Sequence, residues 1–330
     1  MRDEYSEQFI NVLKQGNLTE LRRIPKSDLH NHCVLGGSRE FLQEKIGHRI
    51  EPLKKPLSSM QEMGDWSKRY IRPYFEGAAG RKLQMEAAFV QAKRDGVTVL
   101  EAGEDVWGLE QFFHNDIGEL TGVFLEMHDR IAPEMEFRFQ IGLSRHCSIP
   151  YLMGCLEHFW SLEPKSSPYY SIDLYGDEFA QPIENFVPIY KRAKEYGIRL
   201  KAHVGEWGTA DDVIKAVELL ELDEVQHGIA AAESDEAIRF LKERGIRLNI
   251  TPTSNVLLGR VADLASHPIR KLYRSGVDVT INSDDILMFD SDVSKEYLRL
   301  YQSGCLEAEE LDDIRVNGLK RIWPQGWVQF

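Results

Sequence analysis

The chain has 330 residues, of which 42% are hydrophobic and 28% charged, and its formal net charge is -13. This composition is typical of a globular protein and not of a disordered chain. The negative charge disfavours broad electrostatic binding to nucleic acid or to anionic membranes, because both require a positive surface. We therefore expect a small-molecule ligand, with neither nucleic acid nor a membrane as partner.

The first 21 residues are polar and charged, and no later stretch approaches the roughly 20 apolar residues of a membrane span. Four cysteines at irregular spacings fit reduced thiols better than a disulfide framework. We expect a cytoplasmic protein. The sequence leaves the oligomeric state open, and a homo-oligomer is one alternative.

Eight short runs rich in Val, Ile, Leu and aromatic residues alternate with stretches of helical periodicity. The predicted strands are residues 24–32, 97–104, 137–143, 169–175, 198–203, 224–227, 246–251 and 277–283, and the clearest predicted helices are residues 80–94, 183–196, 210–220 and 234–244. Alternating strands and helices predict an α/β fold with a parallel sheet, and eight repeats predict a closed (β/α)8 TIM barrel. The alternative, an open doubly wound sheet, normally has a Gly-rich phosphate turn after its first strand, where this chain has His30-Asn31-His32.

Two segments interrupt this alternation. Residues 41–80, after the first strand, predict extra helical segments and contain several aromatic and basic residues. They form either a lid over the barrel mouth or a helical layer packed on the barrel, since loops after barrel strands build the active site. Residues 109–134 also exceed one short helix. Because no linker or repeat is visible, we treat residues 1–330 as a single domain that begins with a short helical segment at residues 1–22.

Histidines and carboxylates lie at the ends of four predicted strands. His30 and His32 are one residue apart, which places both side chains on the same face of a strand; His203, His227 and Asp284 end three later strands. Because the carboxyl ends of barrel strands meet at the active site, chance explains this pattern poorly. Imidazoles with one carboxylate suit Zn²⁺. The fourth strand has no terminal lysine that could bridge two metals, so we expect one metal per chain, and we interpret most of the other histidines as surface or structural residues.

Six sequence segments resemble the adenosine and AMP deaminases of the amidohydrolase superfamily. They are PKSDLHNH, IDLYGDE, HVGEWG, VQHG, TPTSN and VTINSDDILMF, and they extend in the family's order from residue 25 to about residue 289. The resemblance implies that His30, His32, His203 and Asp284 bind one Zn²⁺ and that the bound water faces C6 of a purine.

The resemblance also assigns the remaining site residues. Glu206 would donate a proton to N1 of the purine, and His227 would act as base and orient the water, so that these two residues and the ligand Asp284 form the catalytic set. Asp285 would bind N7, and the backbone of Gly176 would contact N3. Attack on C6 builds negative charge in the ring, which requires an acid at N1, and a position near the metal would raise the pKa of Glu206 for that task.

Two departures from the family pattern concern the sugar side of the substrate. CVLGGS follows His32, so the aspartate that holds a ribose hydroxyl in nucleoside-specific members is missing, and the second strand ends in LEAGED where many members have an arginine. Four arginines near predicted mouth loops could receive a phosphate, or could be solvated surface charges: Arg39, Arg69, Arg72 and Arg145.

The first functional hypothesis is hydrolysis of adenosine or deoxyadenosine to inosine or deoxyinosine plus ammonia. Alternative substrates are AMP or dAMP, or another cyclic amidine such as adenine or a pterin. A catalytically silent nucleoside-binding barrel is the non-enzymatic alternative, and it predicts erosion of the catalytic set, all of which is present.

Overall fold

The computed structural model describes residues 2–57, 59–160 and 169–320. Eight parallel strands form one sheet in chain order: β1 (Lys26–Asn31), β2 (Val97–Asp105), β3 (Glu136–Ser144), β4 (Tyr169–Tyr175), β5 (Arg199–Val204), β6 (Glu224–His227), β7 (Arg247–Ile250) and β8 (Asp278–Ile281). After β8, Asn31 and Asp284 form a parallel bridge, and the Asp284 N–H donates to the carbonyl of His30 at 2.9 Å. The last strand thus returns to the first, and the predicted TIM barrel is confirmed.

The predicted strands agree with the observed ones to within two residues at each end. The strands β1, β7 and β8 are shorter than predicted, β2 and β3 are longer, and β5 is shifted by one residue. Both faces of a parallel barrel strand are covered, which produces continuous apolar runs that are easily read from sequence.

The described residues contain sixteen α-helices: α1 (Ser6–Gln15), α2 (Leu18–Leu21), α3 (Arg39–Ile46), α4 (Met60–Tyr70), α5 (Gly77–Arg94), α6 (Leu109–Phe113), α7 (Ile117–Ile131), α8 (Ile149–Trp160), α9 (Val187–Tyr196), α10 (Ala210–Leu220), α11 (Asp235–Arg244), α12 (Pro252–Leu257), α13 (Ile269–Arg274), α14 (Ile286–Phe289), α15 (Val293–Gln302) and α16 (Ala308–Gly318). Short 3-10 helices cover Val106–Gly108, Ile183–Phe186 and Ile229–Glu233. None of the described helices is long and apolar enough to cross a membrane.

Local sequence explains where several of these helices begin. Thr209 and Asp212 form a capping box at the start of α10, and the Ser234 hydroxyl caps α11. The helix predicted over residues 183–196 is a 3-10 helix up to Phe186 and an α-helix only from Val187 onwards. Pro188 has no backbone N–H and therefore cannot donate an α-helical hydrogen bond to residue 184.

The segment between β1 and α5 forms a helical layer at the barrel mouth. Buried side chains of α3, α4 and the following turn make an apolar cluster with the loops after β7 and β8; its members include Leu42, Trp66, Phe75, Leu258 and Met288. Backbone N–H groups of Leu53 and Leu57 donate to carbonyls of those loops at 2.8 and 2.7 Å. The extra helical segments after the first strand are therefore confirmed, and their packing is that of a helical layer.

Candidate metal centre and active site

Side chains from four strand ends meet at one point of the barrel mouth. His30 lies in β1 and His32 follows it, His203 lies in β5, His227 ends β6 and Asp284 follows β8. The carboxyl ends of parallel barrel strands face the same side of the barrel. The structure thus brings together all five residues that the sequence pattern selects.

Three imidazole nitrogens of this cluster face one another. Nε2 of His203 lies 3.1 Å from Nε2 of His30 and 3.2 Å from Nε2 of His32. Oδ1 of Asp284 lies 3.5 Å from Nε2 of His32 and 4.0 Å from Nε2 of His30. Tetrahedral ligands at about 2.0–2.1 Å from Zn²⁺ are separated by about 3.3 Å, so three of these four distances are close to the spacing that the ion requires and the contact between His30 and Asp284 is longer. Ligand atoms lie within 4.8 Å of one another in two triads, His30 with His203 and His227, and His30 with His32 and Asp284.

The second partners of two histidines determine which ring nitrogen carries the proton. Nδ1 of His30 donates to the carbonyl of Asn249 at 3.1 Å, and Nδ1 of His203 lies 3.2 Å from Oδ2 of Asp173. A neutral imidazole protonated at Nδ1 has a lone pair on Nε2. The lone pairs of His30 and His203 therefore point at each other across 3.1 Å, which is repulsive unless a cation lies between them. Holding the second nitrogen with a carbonyl or carboxylate is typical of metal-binding histidines.

The electrostatic environment favours the protonation states that metal ligands need. Burial lowers the pKa of His30 to about 3. Burial disfavours the ionised form of Asp284, but the imidazoles of His30 and His32 outweigh it and lower the pKa of Asp284. A neutral imidazole and an ionised carboxylate are the forms that bind a metal ion.

Glu206 lies in the turn after β5 and faces His227, with its Oε1 3.6 Å from Nε2 of that ring. Burial, followed by the negative charges of Asp284 and Glu178, raises the pKa of Glu206 well above its usual value. Its Oε1 has no hydrogen-bond partner among the described residues. A buried carboxyl group that keeps its proton near neutral pH is suited to act as a general acid.

A second carboxylate fixes the turn that carries Glu206. Glu178, after β4, accepts the three backbone N–H groups of residues 205–207 at 2.7–2.9 Å. The buried Arg145 donates to the carbonyls of Glu178 at 2.9 Å and His203 at 2.8 Å. Arg145 thus connects the loops after β4 and β5. Neither Arg145 nor Glu178 lines the cavity at the metal cluster.

A chain of hydrogen bonds through three residues places a donor beside Nδ1 of His227. The N–H of Ile269 donates to Nδ1 of His267 at 3.1 Å, which leaves Nε2 of His267 to donate to Oδ1 of Asn255 at 3.2 Å. The amide nitrogen of Asn255 then lies 3.2 Å from Nδ1 of His227. Burial holds the pKa of His227 well below its usual value. The Thr251 hydroxyl also lies 3.0 Å from Nδ1 of His227 and 3.3 Å from Oδ2 of Asp284. The amide donor of Asn255 favours the neutral ring with its proton on Nε2, on the side of Glu206.

The backbone is strained at two of the site residues. His227 and Asp284 have φ angles of 63° and 62°, in the left-handed region that residues other than glycine rarely adopt. Such conformations cost roughly 1–3 kcal/mol each and occur preferentially at functional sites. With this left-handed backbone conformation, the N–H of Asp284 donates to the carbonyl of His30 while the carboxylate of Asp284 faces the histidines.

A cavity of about 210 Å³, here called the inner cavity, opens beside the cluster. Its polar wall includes His32, Glu206, His227 and Asp285, and it also contacts Gly176 and several apolar side chains. Burial and the neighbouring charge of Asp284 raise the pKa of Asp285 to about 8, and its Oδ1 has no hydrogen-bond partner among the described residues. The inner cavity thus joins the metal cluster to the candidate acid and both candidate substrate contacts.

Of the four candidate phosphate-binding arginines, only Arg72 lines a described cavity near the site. Arg39 pairs with Asp290 at 2.9 Å and bonds the backbone of α14, and Arg69 lies over the ring of Tyr70. With Arg145 bonded to two carbonyls, three of the four side chains have partners other than a ligand, and only Arg72 stays next to a described cavity. Sequence position alone does not give the direction of a long side chain.

A parallel eight-stranded barrel with clustered imidazole and carboxylate side chains at its carboxyl end is the arrangement of a barrel metallohydrolase. The family model described as adenosine deaminase matches residues 162–325. A protein of Treponema pallidum, described as a putative adenosine/adenine deaminase, is 32% identical over 302 residues, which cover 91% of this chain and 99% of that protein. The chain belongs to the adenosine deaminase family.

Two solved structures share the fold. A cog1816 amidohydrolase from Burkholderia ambifaria with bound Zn has a TM-score of 0.77 and 20% identity, covering 94% of this chain and 89% of its own. Arabidopsis ADAL complexed with IMP has a TM-score of 0.73 and 16% identity, and the match covers 90% of this chain and 92% of that chain.

The family membership settles the class of reaction. Deaminases of the amidohydrolase type depend on a metal ion, and this chain is a hydrolase that deaminates adenine- or adenosine-type substrates. The prediction of an enzyme of this family is confirmed.

Proposed function

We propose that the chain hydrolyses adenosine or deoxyadenosine to the 6-oxopurine nucleoside and ammonia. The observation that carries this proposal is the inner cavity, where Glu206 and Asp285 present buried oxygens without described partners beside the cluster of imidazoles. Buried polar atoms without partners are costly, so a ligand that bonds both of them is favoured.

His30, His32, His203 and Asp284 would hold one Zn²⁺, as their spacing and their facing lone pairs favour. When bound, the ion supplies a water molecule whose pKa is lowered towards about 7. Asp173 and the carbonyl of Asn249 keep the two imidazole rings in the required tautomer.

Glu206 and Asp285 would position the purine with C6 towards the metal ligands. Glu206, protonated because of its raised pKa, donates its proton to N1 as negative charge develops in the ring. Asp285, with a pKa of about 8, carries a proton at neutral pH and donates a hydrogen bond to the acceptor N7. The backbone of Gly176, across the inner cavity, contacts N3.

His227 would orient the attacking water. The chain of bonds from Ile269 through His267 and Asn255 gives Nδ1 of His227 a donor, so Nε2 presents an N–H to the cavity. A donor at this position holds a water oxygen with its lone pair directed at C6. The orienting part of the proposed role is therefore favoured, and a base role requires the ring to reverse its tautomer.

A substrate panel tests the reaction. Ammonia release and the ultraviolet shift from amino- to oxopurine are measured with adenosine, deoxyadenosine, AMP, dAMP, adenine and a pterin. We expect turnover of the 6-aminopurine nucleosides. If a pterin reacts and no 6-aminopurine compound does, the proposal is wrong.

Glu206→Gln tests the acid directly. An amide cannot deliver the proton, so we expect kcat to fall by about 10²–10⁴-fold while the bound metal stays near one ion per chain. Glu195→Gln, an exposed residue of α9, is the matched control and should keep full activity. Near-normal turnover of Glu206→Gln would show that the acid is misassigned.

A further inference from the structure

The inner cavity adjoins a second, larger one. This outer cavity has a volume of about 680 Å³ and lies between the loop after β1, the end of β2 and helices α4 to α6. Val34, Leu35 and Asp105 line both cavities. Ligand pockets usually measure about 300–1,000 Å³, so the inner cavity alone is small for a nucleoside, whereas the two together are not.

The order of strands around the barrel indicates which part of a bound purine faces the outer cavity. This step rests on the proposed function, in which N1 meets Glu206 after β5, N3 meets Gly176 after β4 and N7 meets Asp285 after β8. The contacts with N1, N3 and N7 then occupy the sector from β4 to β8. The remaining ring position that carries a substituent, N9, faces the sector of β1 and β2, where the outer cavity opens.

The charges along this path are unfavourable for a phosphate. Among the described residues that line the inner cavity, five have carboxyl side chains and none is a lysine or arginine: Glu104, Asp105, Glu206, Asp284 and Asp285. Glu206 and Asp285 keep a proton near neutral pH, so the negative charge on this path comes from the other three. In the outer cavity, the exposed side chains of Arg72 and Glu76 bring one charge of each sign. Arg81 is buried and pairs with Glu104 at 2.7 Å, and it also lies over the ring of Phe112. Its charge is thus offset by a carboxylate that lines the inner cavity.

The rest of the outer cavity suits a neutral, hydroxylated group. Ser67, Gln84 and Gln111 supply uncharged hydrogen-bonding side chains, and the rings of Phe75 and Phe112 supply apolar surface. Gln84 is fixed by donating to the carbonyl of Val34 at 2.8 Å, which leaves its amide oxygen as an acceptor on that wall. A sugar ring combines hydroxyl groups with apolar C–H faces, so it matches this mixture.

We infer that the outer cavity is the subsite for the sugar on N9 of the purine, and that Asp105 is the residue that selects a nucleoside over a nucleotide. A carboxylate between the cavities accepts hydrogen bonds from sugar hydroxyl groups and repels a phosphate. The loop after His32 has no aspartate for this purpose. Asp105, at the end of the neighbouring strand, supplies the missing carboxylate from β2.

Wild-type kinetics give the first test. We expect kcat/KM for adenosine to exceed kcat/KM for adenine and for AMP by at least about tenfold each, since adenine leaves the sugar subsite empty and AMP brings a like charge to Asp105. Adenine turnover equal to or better than adenosine turnover would overturn the subsite and leave the deaminase proposal intact. If no 6-aminopurine reacts, the proposed function itself fails.

Asp105→Asn gives the second test. The amide removes the charge and one strong acceptor, so kcat/KM for adenosine should fall by about tenfold and the ratio of AMP to adenosine turnover should rise by at least about tenfold. Asp129→Asn, an exposed residue of α7, is the matched control and should change neither value. A ratio that does not move in Asp105→Asn would overturn the selecting role, and the wild-type comparison decides the subsite even if this variant does not fold.

Discussion

The two sides of the barrel mouth are built in different ways. One side, the metal wall, consists of His30, His32, His203, His227 and Asp284 at strand ends. The described partners of these side chains lie mainly on the barrel strands and the loops that follow them, at distances of 3.0–4.0 Å. The other side, the outer segment, is made of residues 33–57 and 59–76. Its helices and loops pack on the barrel through an apolar cluster and a few backbone hydrogen bonds.

This difference separates chemistry from substrate choice. Groups on rigid strand ends keep the geometry that a metal ion and an acid require. Apolar packing tolerates changes in side chains as long as volume is kept, so the outer segment can change without moving the metal wall. We therefore expect substitutions behind the metal wall to act on metal affinity or kcat and substitutions in the outer segment to act on KM.

Among the substitutions that test this difference between the two sides, Asp173→Asn is expected to have the largest effect. Asp173 accepts the Nδ1 proton of His203, and an amide in its place weakens that bond and makes Nε2 a poorer ligand. Zinc affinity, measured by chelator competition, should fall by about 10–100-fold. Asp129→Asn again serves as the matched control. Unchanged affinity in Asp173→Asn would mean that the metal wall does not depend on the partners behind it.

A smaller effect is expected from Glu178→Ala, which removes the acceptor of three backbone N–H groups in the turn of Glu206. We expect kcat to fall on the order of tenfold, with metal content and KM little changed. This loss is smaller than the roughly 10²-fold loss that a 1 Å displacement of a catalytic group can cause. Glu178→Gln keeps one carbonyl acceptor and should recover part of kcat. A loss of thermal stability with no change in kcat would contradict this positioning role.

The metal wall was predictable because its residues follow strands that are themselves easy to recognise. His203, for example, ends the predicted strand of residues 198–203, and Asp284 follows directly after the predicted strand of residues 277–283. The residues behind them were not predicted. Glu178 and Asn255 contact residues 27 or more positions away along the chain, and nothing in the local pattern states which N–H or imidazole a loop side chain will reach.

The outer segment was predicted only as helical. Its position over the loops after β7 and β8 depends on which apolar side chains pack together, and both a lid and a packed layer have the same amphipathic pattern. Arg39 and Arg145 illustrate the same difficulty for charge: both occupy barrel-mouth loops, and both bond backbone carbonyls of those loops.

The smallest effect is expected from Trp66→Ala in the outer segment. Trp66 is buried in α4, where its indole N–H donates to the carbonyl of Glu51 at 2.8 Å and its ring packs beside Tyr70. Its neighbours in the sequence, Met63 and Ser67, line the inner and outer cavities respectively. Loss of the indole loosens this layer, so KM for adenosine should rise by roughly threefold to tenfold, as local opening competes with binding.

Metal content and kcat of Trp66→Ala should stay close to wild type, because the metal wall has its own partners on the barrel. Limited proteolysis should cut within the outer segment sooner in the variant than in the wild type, since segments with few buried contacts open without global unfolding. Trp66→Phe, which keeps an aromatic ring but not the N–H donor, should lie between the two. If Trp66→Ala lost its zinc together with substrate affinity, the two sides of the mouth would be one cooperative unit, and the distinction between them would fail.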